Sequence, residues 1–495
     1  MKLGKRAATG LCLAACFWGF AALGAAMNQT SIPPSISRAD FAAAYLRFET
    51  AFLKATLDDS ETARVNRAFD RLTLSFFTRN FSAAIQALDT LTMSLDPNGA
   101  GVMIPKLGPY RVRFNPATHV PGRDRPFLTA DILYKPGLAV DGIMVTLRLR
   151  PADLKKTIDI PLEMKFSPDL PVLVEAGLEG LEEKLVPGRY EVGFAMGPLF
   201  LLSGYWSVVS APPAERVEAN TARLAKIGTF PVALLQASVA VAARNRLLSD
   251  TPDPQNTAQM LFDPEALAVE VEAEIGALEK GRNPFVGKSG DYWRAIKTEE
   301  REVPFRVYCP PSVTRAKSSP LIVAFHGAGG DENMFMDAYG GGLIKRLAER
   351  HGFIIVSPLT NAFGGSKGVE TFDRMIDVLA ADYRIDRTRI YVLGHSMGGS
   401  TAGALAAARP GLIAAAACLN GFNGFKDDVK KISPTLVVAS ELDPIAGPSR
   451  IEPAFKKAQA AGLPVEYRFL KNYGHTLAVT KILPEAIAWL LARSR

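Results

Sequence analysis

The sequence predicts a multidomain protein whose C-terminal part is a doubly wound, mostly parallel α/β sheet, preceded by an α-helical segment and a small β-sandwich. Three observations predict it. At 495 residues the chain exceeds what one hydrophobic core usually organises. Between Tyr110 and Val209 the apolar period shortens towards two, with Pro and Gly clusters between the runs. From about Asp291 onward, short apolar runs of strand length alternate with helical patterns, the signature of parallel strands joined by helical crossovers. The expected units are 1–26, 38–95, 105–210, 213–285 and 290–495.

Residues 1–26 read as a signal peptide: a basic start through Arg6, an apolar run from Ala7, and small residues Gly24, Ala25 and Ala26 before polar Asn28. The expectation is export to a periplasmic or extracellular compartment. Leu13-Ala14-Ala15-Cys16 also matches a lipobox, so a lipid anchor on Cys16 is the alternative, although apolar Phe17 to Phe20 stand where a polar tether normally follows. An uncleaved leader would be a third outcome, since its apolar run approaches the ~20 residues of a membrane span; otherwise no stable span is expected.

From Arg38 to Leu95, Phe41, Tyr45, Phe48 and Phe52 recur at helical spacing, and Phe69, Leu72 and Phe76 repeat the pattern after a polar break at Asp58 to Glu61. A helical hairpin with an aromatic core is expected. Strand-like runs then follow at Phe127 to Tyr134, Ile143 to Leu149, Thr157 to Met164, Tyr190 to Met196 and Leu199 to Val208. They suggest a small sandwich, of which the immunoglobulin type is one form, with a supporting role. Glu215 to Leu248 and Pro264 to Lys280 are again helical, split by Thr251-Pro252-Asp253-Pro254, and read as a connector.

Composition narrows the function. Removing the leader charges Lys2, Lys5 and Arg6 from the net +7 leaves +4, spread without a basic stripe interleaved with aromatics, so nucleic acid is not an expected partner. No metal-ligand spacing occurs and no cofactor is called for. Outside the leader only Cys309 and Cys418 remain, and whether they pair is left open.

The chemistry lies late in the chain. Gly394-His395-Ser396-Met397-Gly398 sits between a strand (Ile390 to Leu393) and a helix rich in small residues. A strand that turns at once into a helix strains the serine and leaves no room for a Cβ at the flanking positions, which is why glycine stands on both sides. A serine hydroxyl needs a base, most often histidine. Of the five histidines, His119 lies in the β-rich part, His326 in another loop, His351 after a helix and His395 inside the elbow. His475 remains, in Tyr473-Gly474-His475-Thr476 after the last strand. Asp443, after the strand Leu436 to Ala439, is the expected orienting carboxylate, with Glu441 its competitor. The oxyanion donors expected are the N–H of Met397, directly after the serine, and that of Ala328 in His326-Gly327-Ala328-Gly329-Gly330, with Gly327 and Gly329 as neighbours.

His326-Gly327-Ala328-Gly329-Gly330, Tyr383-Arg384-Ile385-Asp386, Arg389-Ile390-Tyr391 and Gly394-His395-Ser396-Met397-Gly398-Gly399 together resemble the α/β-hydrolase serine esterases grouped with polyhydroxybutyrate depolymerases and feruloyl or acetylxylan esterases. The resemblance covers about residues 303–495. It implies a triad of Ser396, Asp443 and His475, a second oxyanion donor at Ala328, and an ester substrate. The residue at Ala328 differs from the family's usual one, so polymer specificity does not carry over. Only a short excursion separates the strands at Ala414 to Leu419 and Leu436 to Ala439, which suggests an open site without a large lid, suited to bulky or polymer-linked esters. Two other readings stand beside the esterase: a peptidase of the prolyl-oligopeptidase type, whose propeller repeats are not found, and a binding protein with a vestigial hydrolase domain.

Overall fold

The computed structural model describes residues 36–137, 143–151, 156–164, 172–174, 178, 180–249, 257, 261–313 and 318–495. The leader expected at 1–26, with Cys16, lies outside them. Three helices come first: α1 (Arg38–Lys54), α2 (Asp59–Phe77) and α3 (Phe81–Leu95). Ser37 and Asp58 open α1 and α2 with capping boxes closed by Asp40 and Glu61. The hairpin expected over 38–95 is therefore a three-helix layer. The unforeseen break lies at Arg79, which adopts φ 57°, and at Asn80, whose side chain caps Ala83 N–H at 3.2 Å. Phe41, Tyr45, Phe48, Phe69 and Phe76 pack ring on ring, as their spacing suggested.

Two sheets follow. Strands β1 (Tyr110–Asn115), β3 (Phe127–Ile132) and β6 (Val172–Val174) form one; β2 (Thr118–His119), β4 (Ile143–Pro151), β5 (Ile158–Met164), β7 (Gly188–Met196) and β8 (Leu199–Val208) form the other, in the order β2-β8-β7-β4-β5. Val112, Phe114 and Leu128 of the first share one core with Leu147, Ile160, Tyr190 and Trp206 of the second. Phe114 stacks on Trp206 at 4.0 Å between ring centres. Helix α1 leans on these sheets: Arg47 donates to Leu202 O at 2.6 Å, and buried Arg111 pairs with Asp40. Helices α4 (Pro213–Ile227), α5 (Val232–Arg246) and α6 (Pro264–Glu279) complete the segment before the large sheet.

The large sheet has eight strands: β9 (Gly290–Lys297), β10 (Glu302–Cys309), β11 (Ser319–Phe325), β12 (Ile354–Pro358), β13 (Ile385–His395), β14 (Ala415–Leu419), β15 (Thr435–Ser440) and β16 (Val465–Leu470). Their order is β16-β15-β14-β13-β11-β12-β10-β9, parallel from β12 to β16, with β9 and β10 antiparallel at one edge. Helices α7 (Leu343–His351), α8 (Gly365–Asp382), α9 (Met397–Ala408) and α10 (Pro448–Ala460) connect them, and α11 (Ala478–Leu491) follows β16. Central strands are buried along their whole length, and their side chains divide between two apolar cores, one on each face. The chain goes from β11 outward to β12 and then returns to the other side of β11 as β13. The loops after β11 and β13 therefore flank the point where strand order reverses, the customary ligand crevice of an open α/β sheet.

Cys309 and Cys418 are both free and buried. They stand on β10 and β14, with β12, β11 and β13 between them. At about 4.8 Å per strand this separation is far beyond the Cα spacing of a disulfide. Ser37–Arg495 is one compact unit.

Candidate active site

Strand β13 ends at His395 and α9 begins at Met397, leaving Ser396 alone at φ 54° and ψ −118°. Such a conformation costs on the order of 1–3 kcal/mol and persists only where its surroundings enforce it. Here glycines let backbone press on backbone. A Cβ at Gly394 would lie 2.0 Å from Gly398 O, one at Gly398 2.0 Å from Phe325 O, and one at Gly421 1.9 Å from Ser396 O. Ser396 N–H donates to Leu419 O at 2.9 Å, tying the elbow to the end of β14. Ser396 and Met397 are half-buried, and the positive end of α9 points at the turn.

His475 follows β16. Its Nδ1 lies 2.8 Å from Asp443 Oδ2, and both side chains are buried. Oδ1 of the same carboxylate accepts the N–H groups of Ile445 and Ala446, each at 2.8 Å. Burial opposes ionisation of Asp443, but the His475 ring and those two N–H groups outweigh it and hold the carboxyl below its usual value. An ionised carboxylate facing Nδ1 requires the Nδ1–H tautomer, which leaves the Nε2 lone pair free to act as a base. Glu441, the competitor, is exposed and accepts Asn472 N–H at 2.8 Å instead. Among the described residues Ser396 Oγ makes no hydrogen bond within the chain.

The elbow and the histidine loop are brought together by groups that the sequence did not single out. His395 Nε2 lies 2.9 Å from His475 O, so this nitrogen must donate. Nδ1 then accepts from Tyr339 Oη at 2.8 Å, and the ring is neutral. Burial and the neighbouring His475 push its pKa down to about 3. Both ring nitrogens are thus occupied in joining the two loops. Asn420, directly after β14 and at φ 48°, sends Nδ2 to Gly474 O at 3.1 Å and His475 O at 2.9 Å, while Oδ1 accepts from Ser440 Oγ at 3.0 Å. One buried amide thus joins the loops of three strands.

The loop after β11 faces the serine: a Cβ at Gly327 would lie 3.2 Å from Ser396 Cβ. His326 anchors it, accepting Thr360 N–H at 3.0 Å on Nε2 and donating from Nδ1 to Gly327 O at 2.8 Å. Gly327 N–H faces the Tyr339 hydroxyl. Ala328, half-buried, and Gly329, exposed, follow on the turn.

The N-terminal helices reach this site. Asn66 Oδ1 accepts Gly474 N–H at 2.8 Å, and Asp70 Oδ2 accepts His475 N–H at 2.9 Å. At the other end of α2, Phe76 and Phe77 abut the β11 loop: their Cε1 atoms would lie 2.5 and 3.2 Å from a Cβ at Gly329. Helix α2 therefore borders the loop after β11, a contact with no signal in the sequence. Among the described residues no cluster of His, Cys, Asp and Glu could hold a metal, and no helix is long and apolar enough to cross a membrane.

Two family models match this part of the chain: one named Esterase over residues 296–431, and one described as PET hydrolase-like over residues 375–491. Over this part the chain is similar to the α/β-hydrolase esterase group. Feruloyl esterase B of Neurospora crassa is 31% identical over 123 residues, which are 21% of this chain and 40% of that protein. A bifunctional acetylxylan esterase/xylanase of Neocallimastix patriciarum is 32% identical over 99 residues, 19% of this chain and 14% of that protein. The chain therefore spans less than half the length of either relative. Among solved structures, a thermostable esterase is 26% identical, covering 41% of this chain and 63% of its own, with a TM-score of 0.36. The α/β-hydrolase region begins near β9, and neither family model extends to the helices and sheets before it.

Proposed function

We propose that the chain is a serine esterase hydrolysing carboxylic esters through an acyl-enzyme on Ser396. The observation that carries this reading is the Asp443–His475 pair, 2.8 Å long, beside a positive-φ serine at the reversal point of the sheet. His475 Nε2 takes the Ser396 proton as Oγ attacks the ester carbonyl. Asp443 keeps the ring in the Nδ1–H tautomer and stabilises the imidazolium. The N–H groups of Met397 and Ala328 receive the oxyanion, and the N-terminus of α9 adds its partial positive charge. Imidazolium then protonates the leaving alkoxide. Water, activated by the same nitrogen, releases the acid.

Half-buried Ser396, Met397 and Ala328, with exposed Gly329 beside them, favour esters whose bulk stays outside the site, including polymer-linked ones. The two sheets of 110–208, as a small sandwich, serve to seat α1 through Arg47 and Arg111. The leader at 1–26 directs export, and N-terminal sequencing of the mature protein checks its cleavage. An ester panel run beside peptide amides, with wild type and Ser396→Ala, tests the activity. Ester turnover and fluorophosphonate labelling, both lost in Ser396→Ala, are expected. Dominant amide turnover would support the peptidase instead, and an unlabelled wild type would mean a vestigial site.

A further inference from the structure

Helix α2 lies about 400 residues from the histidine loop in sequence, yet two of its side chains bind that loop's main chain. Asn66 and Asp70 are spaced i, i+4 and so share one face of the helix. Asn66 is fully buried and engaged at both amide atoms: Nδ2 donates to Thr62 O at 2.8 Å, and Oδ1 accepts Gly474 N–H at 2.8 Å. Asp70 is 7% exposed, and a Cβ at Gly474 would stand 2.0 Å from its Oδ2, so glycine is what allows the helix to come this close. Two successive N–H donors of the loop carrying the base thus end on acceptors from outside the hydrolase region. Among the described residues no Lys or Arg lies within ion-pair range of Asp70, so its charge is not consumed by a salt bridge.

We propose that Asn66 and Asp70 are positioning residues for the catalytic imidazole: they clamp residues 474–475, and the Asp70 carboxylate stabilises the imidazolium that forms at His475 during acyl transfer. This rests on the serine-hydrolase reading of Ser396, Asp443 and His475. Two groups face Asp70 electrostatically. The positive form of His475 favours its ionisation, and the Asp443 carboxylate opposes it. Burial raises the Asp70 pKa to about 6, against the N–H of His475, so the second negative charge behind the imidazole is present above that pH and fades below it.

The test uses the full chain and reads both ester turnover and the rate of fluorophosphonate labelling across pH. Asp70→Ala is expected to lower kcat roughly 30-fold with KM changed less than about twofold, because a loosened base misaligns chemistry more than binding. Asp70→Asn keeps an acceptor for His475 N–H. It should recover kcat to within about threefold at high pH, while the acidic limb of the profile moves to lower pH because the imidazolium has lost a neighbouring negative charge. An unmoved limb in Asp70→Asn overturns the proposal, as does near-normal kcat in a folded Asp70→Ala. Should Asp70→Ala fail to fold, the Asn variant alone decides. Hydrogen exchange at the His475 amide needs no turnover: faster exchange in Asp70→Ala supports the clamp, and an unchanged rate refutes it. A wild type that does not label at Ser396 would sink the hydrolase reading, while the exchange rates would still report on the clamp separately.

Discussion

Ser396 and His475 are held in contrasting ways. Ser396 is fixed by its own neighbourhood: Gly394, Gly398 and Gly421 admit backbone at about 2 Å from where a Cβ would sit, and α9 begins one residue later. His475 sits on a loop without such enforcement and is tied from elsewhere, by Asn420 after β14, by His395 in the elbow, and by Asn66 and Asp70 of α2. A nucleophile can be built by a local turn. An imidazole that must change charge during reaction depends on tertiary structure for both its aim and its field.

The sharpest way to break the contrast is at the elbow. Gly398→Ala puts a Cβ 2.0 Å from the carbonyl oxygen of Phe325, which is backbone and cannot step aside. Loss of Ser396 labelling by a thousandfold or more is expected, on the order of 4 kcal/mol at 1.36 kcal/mol per decade, together with a lower melting temperature by circular dichroism. Asn420→Ala attacks the other side. It strands the carbonyl of Gly474, leaves His475 O to His395 Nε2 alone and should cost roughly 1–3 kcal/mol of stability, with kcat falling about tenfold or more, within the ~100-fold loss that a 1 Å misplacement can cause.

A third experiment weighs the remote helices by pH. Burial raises the Glu49 pKa to about 7, against the hydroxyl of Tyr45 and the N–H of Gly340, on the face where α1 meets the segment after β11. A carboxyl whose folded value is raised contributes its stability fully below the unfolded value and loses it as pH rises through about 7. Glu49→Gln should therefore gain stability relative to wild type between pH 5 and pH 8, by roughly 2–3 kcal/mol at 1.36 kcal/mol per unit. Denaturant midpoints at the two pH values check this, and a difference independent of pH would refute it. The smallest effect is expected at Phe77, 52% exposed beside Gly329. Phe77→Ala should raise KM for bulky aryl esters by less than about tenfold, the size of one partly covered aromatic contact, and leave small acetate esters unchanged in the same kinetic assay.

Much of the hydrolase region was legible because its signals are periodic or local. Strand-length apolar runs alternate with helices, and the strands expected at Ile390 to Leu393, Ala414 to Leu419 and Leu436 to Ala439 fall on β13, β14 and β15. The order of Ser396, Asp443 and His475 follows from which loops lie at the carboxyl ends of β13, β15 and β16. The break at Asn80 was missed because a single capping residue inside an aromatic helical pattern is a weak signal beside the apolar period. Asn420 and Asp70 had none, since side chains bonding distant main chain leave no spacing to read.

By itself, then, the sequence pointed to the turn at Ser396, the glycine-rich loop after β11 and a late carboxylate and imidazole as candidates, because each depends on residue types within a few positions of a strand end. Only the tertiary structure decided that Asp443 rather than Glu441 meets His475, that Cys309 and Cys418 stand with three strands between them, and that α2 lies against the loop of His475. Those outcomes rest on strand order and on packing between segments hundreds of residues apart, where local propensity carries no information.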